Sequence, residues 1–158
     1  MNFRFLGLVA MLLLAACASN PNSTSATGGA TSGSGASSAV AGSREDFVQN
    51  VGDRVFFDFD RSDINAEGQA TLQKQAAWLQ KYSNVKVTVE GHCDDRGTRE
   101  YNLALGNRRA NAVKRALIAL GVQGGRISTI SYGKERPAVV GDNDQAWAQN
   151  RRGVTVIN

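Results

Sequence analysis

One histidine and two cysteines are all that 158 residues supply of the commonest metal-binding and nucleophilic side chains. That scarcity removes several chemistries. His92, Cys93, Asp94 and Asp95 are consecutive, so in an extended loop alternate neighbours point apart, and no second cluster of His or Cys exists to complete a metal shell. A Cys93/His92 nucleophile and base fares no better, because adjacent residues rarely reach one substrate atom together and no oxyanion-binding motif accompanies them. No pair of carboxylates with opposed acid and base roles is apparent either. The one long apolar run, Phe5 to Leu14, is too short to cross a bilayer. From Ala18 to Gly42 there is no charge at all, and Val40 is the only larger apolar side chain.

What is present divides the chain into three. Residues 1–16, MNFRFLGLVAMLLLAA, carry Arg4, then the apolar run, then small residues, the pattern of a cleaved export signal. Leu14-Ala15-Ala16-Cys17 resembles the lipobox of bacterial lipoproteins. The resemblance implies that Cys17 is diacylated, the signal removed and the new amino terminus acylated. Each buried methylene contributes about 0.8 kcal/mol and one chain holds only marginally, so three would fix the protein to its membrane. Ala18, where an aspartate would signal inner-membrane retention, implies the outer membrane, facing the periplasm. Residues 17–42 then read as the lipidated cysteine and a flexible linker, since Ser, Thr, Gly, Ala and Asn cannot offset the entropy of ordering. A coil of about 25 residues spans roughly 25–30 Å on average and about 80 Å when stretched.

Residues 43–158 read as one folded head, which holds all fourteen acidic side chains and all eighteen basic ones but Arg4. The pI of about 9.4 invites a nucleic-acid reading. Interspersed acids and the export signal argue against it, and most of these charges are solvated surface.

Alternation predicts a strand over Arg54–Phe59 with Val55, Phe57 and Phe59 on one face. A helix follows over Ala66–Tyr82, capped by Asn65, with Leu72, Ala76 and Leu79 at helical spacing. Val85, Val87 and Val89 mark a half-buried strand. Next come a helix over Glu100–Leu120 stopped by Gly121, a strand over Ile127–Tyr132, a short helix over Asp142–Asn150 and a last strand over Val154–Ile157. The expected fold class is α/β: a β-α-β-α-β-β domain whose mixed sheet has its helices on one face.

On a helical wheel, with Leu105 at zero, Ala112, Val113, Ala116 and Leu120 fall within roughly −20° to +80°. Arg109 lies near +40°, in the middle of that apolar stripe, and Asn102 near +60°. A guanidinium there needs a carboxylate, from the protein or from a ligand. From the helix alone, Arg109 snorkels to the sheet edge or pairs with a nearby aspartate. The loop Gly91–Thr98 shifts that balance, because it places aspartates at a strand's carboxyl end beside a helix amino terminus, where loop groups commonly bind ligands. An acid on the loop and a base on the helix suit a zwitterion.

The segments VFFDFDRSDI (55–64), VEGHCDDRGTREYNLALGNRRANAV (89–113), SYGKERPAV (131–139) and NRRGVTV (150–156) together resemble the OmpA-like peptidoglycan-binding domain family. The second and third are most similar to its outer-membrane lipoprotein branch. The resemblance implies a non-enzymatic tether that grips peptidoglycan non-covalently, with TolB of the Tol–Pal envelope system as protein partner and no cofactor. It implies that Asp94 binds the amine of diaminopimelate in the stem peptide and Arg109 its carboxylate. Phe59 and Asp60 would stand near the pocket mouth, Asn102 and Leu105 would line it, and Arg151 and Arg152 belong to the closing motif. Cys93 departs from the pattern, where Thr or Ala is expected, and has no disulfide partner once Cys17 is lipidated. Two other classes stay open: a lipid-anchored module whose main ligand is a protein, and a wall-acting enzyme.

Overall fold

The computed structural model describes residues 39–158. The signal sequence, Cys17 and nearly all of the linker lie outside the described residues. Ser43 opens α1 (Arg44–Asp46), which continues as a single π-helical turn (Phe47–Val51) and drives Phe47 into the core. After β1 (Arg54–Phe56) comes α2 (Ala66–Lys81), where the Asn65 side chain accepts the Gly68 N–H at 2.8 Å as expected of its cap. β2 (Val87–His92) leads into α3 (Arg99–Ala119), capped by Thr98 and stopped by Gly121 at φ +95°. β3 (Ile127–Gly133), α4 (Asp144–Asn150) and β4 (Arg152–Ile157) complete the head.

The sheet order is β1-β4-β2-β3. β2 and β3 run parallel with α3 as the crossover between them, while β4 is antiparallel to both β1 and β2. One sheet face meets the helices: Val87, Val89 and Ile127 pack with Leu72, Ala76 and Leu79 of α2 and with Ala110, Val113 and Leu117 of α3. Each Val, Leu and Ile among them contributes about 1.5–3 kcal/mol by its burial, and each Ala less. Alternation turns Thr88, Glu90, Ser128 and Ile130 to the other face, where they are half-buried or exposed.

Two features of this packing position the site. α3 crosses β2 glycine on glycine, and a Cβ added at Gly91 would fall 2.6 Å from the Gly106 carbonyl carbon and nearer still to its oxygen. Only glycines allow a helix so close, and its first three turns are thereby drawn down onto the loop after β2. The second is an early end to β1. The alternation predicted Phe59 beside Val55 and Phe57, but the strand stops at Phe56 and the Arg61 N–H closes a turn on the Asp58 carbonyl at 3.2 Å. Phe57 stays in the core, whereas Phe59 is 58% exposed. Asp60 takes a left-handed φ of +56°, a conformation that aspartate tolerates better than most residues.

Candidate functional site

The loop from Cys93 to Thr98 leaves the buried end of β2 and is sewn to α3 by Asn102. Its Nδ2 donates to the Arg96 carbonyl at 2.7 Å and to the Thr98 carbonyl at 3.1 Å, and its own carbonyl accepts from Cys93 Sγ at 3.3 Å. Burial pushes the Cys93 thiol pKa up, which keeps it protonated and unreactive. Beside this seam opens a cavity of about 160 Å³, lined by Phe59, Asp60, Asp94, Arg96, Gly97, Tyr101, Asn102, Leu105 and Arg109. Six of the predicted site residues thus share one cavity. Asn102 acts chiefly by fixing the loop to the helix, with both amide hydrogens given to main-chain carbonyls.

Asp94 is 4% exposed. Its Oδ2 receives Arg96 Nη2 at 2.6 Å and Arg151 Nη1 at 3.4 Å. Arg151 is itself anchored by Nε donating to the Phe57 carbonyl at 3.0 Å. Arg152, one residue on, points away by strand alternation and bonds the Arg136 carbonyl at 3.2 Å, so the closing motif contributes one arginine to the site and not two. At the mouth, the Tyr101 hydroxyl donates to Asp60 Oδ1, and that hydrogen bond raises the tyrosine pKa.

Arg109 departs from expectation. The guanidinium is fully buried, and among the described residues no carboxylate pairs with it. Three main-chain carbonyls do: Arg61 on Nε at 2.8 Å, His92 on Nη1 at 2.8 Å and Asp58 on Nη2 at 3.1 Å. The turn after β1 and the end of β2 converge here, and their carbonyl dipoles satisfy a charge that the wheel assigned to an anion. Of five N–H donors, two have no hydrogen bond among the described residues, one on each Nη. Burial lowers its pKa, yet a guanidinium stays charged in protein, so the cavity floor holds a fixed cation.

Sequence reasoning passed over Arg96, Tyr101 and Trp147. The first two stand in the motif already singled out, and Arg96 is two residues from Asp94, the spacing that returns a side chain to the same side of an extended loop. Trp147 gave no local signal, because only the tertiary placement of α4 brings its ring to 4.0 Å from the Arg96 guanidinium. Among the described residues, no three His, Cys, Asp or Glu side chains gather to hold a metal ion.

The OmpA family model matches residues 56–151, which span the cavity-lining segments. A peptidoglycan-associated lipoprotein of Rhizobium meliloti is 55% identical over 152 residues, covering 96% of this chain and 85% of that one. One of Brucella abortus is 54% identical over 153 residues, covering 97% and 90%. The crystal structure of the peptidoglycan-associated lipoprotein from Burkholderia pseudomallei superposes with a TM-score of 0.69 at 39% identity, over 73% of this chain and all of that one. The C-terminal domain of Helicobacter pylori MotB follows at 0.63 and 26%, over 67% and 84%. With relatives this similar over nearly its full length, the chain belongs to the OmpA family and, within it, to the peptidoglycan-associated lipoproteins.

Proposed function

We propose that the protein is a binding protein, anchored by acylated Cys17 in the outer membrane and facing the periplasm, that grips peptidoglycan through the diaminopimelate of its stem peptide. In this reading residues 1–16 are removed, residues 17–42 give reach, and residues 43–158 bind. Asp94 takes the ligand ammonium. Arg109 takes the side-chain carboxylate with the two N–H groups left over from its carbonyl contacts, Phe59, Asp60 and Leu105 shape the cavity, and Asn102 and Arg151 position Asp94. The observation that carries the reading is the presence, in one open cavity, of a buried carboxylate from the loop and a buried guanidinium from α3 with which no carboxylate among the described residues forms an ion pair. TolB as partner and a role in cell division rest on family membership, and co-purification of TolB from cross-linked envelopes tests them.

The site is tested by titrating the detergent-solubilised full chain with a stem peptide containing diaminopimelate and with one carrying lysine, which keeps the amine and lacks the carboxylate. A charge-assisted contact is worth about 1.5–3 kcal/mol, so the lysine peptide should bind roughly ten- to a hundredfold more weakly. Asp94→Asn should weaken both. Equal affinity for the two peptides would remove Arg109 from the carboxylate role. In cells, Cys17→Ser should release the chain from the outer-membrane fraction, and its retention there after wall digestion would rule out the lipid as anchor.

A further inference from the structure

Three guanidinium groups stand around the cavity, and they are held unequally. Arg109 is fixed by three carbonyls, and Arg151 by the Phe57 carbonyl as well as by Asp94. Arg96 has a single side-chain hydrogen bond among the described residues, from Nη2 to Asp94 Oδ2 at 2.6 Å, and its Nε is buried without a partner. The rest of its hold is two aromatic faces: the guanidinium carbon lies 4.0 Å from the Phe59 ring centre and 4.0 Å from that of Trp147. A third of the side chain is exposed, and Phe59 beside it is more exposed still, so the way out is open. The backbone below is pinned, since Asn102 holds the Arg96 carbonyl and Gly97 turns the chain at φ +90°. The side chain can leave without the loop.

An incoming ammonium seeks the same carboxylate. Two cations crowding Asp94 in this largely buried setting repel one another, and of the three arginines only Arg96 can yield. We propose that Arg96 is an internal surrogate for the ligand's ammonium: it fills the seat at Asp94 in the free protein, clamped between Phe59 and Trp147, and is displaced when a stem peptide binds. The proposal rests on the reading of Asp94 as the ammonium-binding carboxylate. It makes Arg96 a residue that sets apparent affinity, because that affinity is the intrinsic one multiplied by the fraction of time the seat is empty. Every amine ligand meets the same competitor, so the factor is common to all of them.

Arg96→Met keeps an unbranched stem in the aromatic slot and removes the charge, and Arg96→Gln serves as a second variant should the first fold poorly. In the full chain each should bind the diaminopimelate and lysine peptides more tightly than wild type, by about five- to thirtyfold, with the ratio between the peptides unchanged. Adding Asp94→Asn should abolish the gain. If the wild type discriminates between the peptides but the Arg96 variants bind equally or more weakly, Arg96 contacts the ligand or only supports the loop, and the surrogate is refuted. A gain for one peptide alone refutes it too. If the wild type does not discriminate, the failure lies in the reading of the site and the proposal falls with it.

Discussion

Arg109→Ala should destabilise the head before it can be judged as a binding variant. The guanidinium is fully buried and ties the Asp58 and Arg61 carbonyls of the turn after β1 to the His92 carbonyl at the end of β2. Truncation leaves all three without their donor. The bond to His92 is wholly buried, and an unsatisfied buried acceptor costs about 1–3 kcal/mol. The Asp58 and Arg61 carbonyls are partly buried and recover some of their loss from water entering the vacated space. About 3–5 kcal/mol in all is expected, which for a head of this size lowers the melting temperature by roughly 10–25 °C. Circular dichroism on heating the full chain measures it, with Asp94→Asn as the control at the other end of the site. Arg109→Lys should fall between, because a single ammonium cannot span three carbonyls presented to a planar fork. A melting temperature for Arg109→Ala within about 5 °C of wild type would refute the argument, and lost binding could then be assigned to the ligand contact alone.

Two further outcomes follow from the packing. Gly106→Ala should lower the urea midpoint by an amount equivalent to about 2 kcal/mol or more: its Cβ would lie 2.9 Å from the Gly91 carbonyl oxygen and press on the Ser131 hydroxyl, outweighing the helix propensity gained of about 1 kcal/mol. An unchanged or raised midpoint would mean that α3 can lift off β2 at no cost. His92 is buried, and among the described residues neither ring nitrogen is hydrogen-bonded, although Nε2 lies 3.4 Å from Glu90 Oε2; burial first, then the charge of Arg152, lower its pKa from 6.5 to about 4. The unfolded chain takes up a proton between those values and the folded chain does not, so stability should fall as pH drops from about 6.5 to 4, by on the order of 3 kcal/mol, and level off below. Asp46, lowered to about 2 by the Gly42 N–H first, adds its own loss only at more acid pH. His92→Gln should flatten the slope between pH 6.5 and 4, and a melting temperature in that variant that still tracks pH as wild type does would assign the effect elsewhere.

Local chemistry made much of the fold legible. Asn65 announces its cap, Val87 and Val89 alternate with polar neighbours, and the long helix ends at a glycine, because each of these features depends on residues within one or two turns. The misses are long-range. The alternation of Val55, Phe57 and Phe59 could not reveal that the chain turns at Asp58, since the turn's carbonyls are collected by Arg109, about fifty residues further on. Arg151 and Arg152 look equivalent as a dipeptide and separate only once β4 is known to begin at Arg152, which sends neighbouring side chains to opposite faces. Phe47 and its π-helical turn lacked a periodic pattern long enough to read.

Arg109 shows where such reading reaches its limit and why the site stands where it does. A wheel gives the direction of a side chain but not its partner, and the acceptors came from main chain, which has no sequence signature. Those carbonyls are within reach because Gly91 and Gly106 let α3 settle against β2, and Arg109 lies one turn beyond Gly106 on the same helix. The close approach that packs the core therefore also sets the depth of the cavity floor and the height of Arg109 within it. A substitution that lifts α3 withdraws the guanidinium from its carbonyls and, in the proposed reading of the site, from the ligand at once. Stability and the proposed binding role thus rest on the same atoms at Arg109, whereas Arg96 and Asp94, on a loop held by Asn102, can be altered with the helix in place.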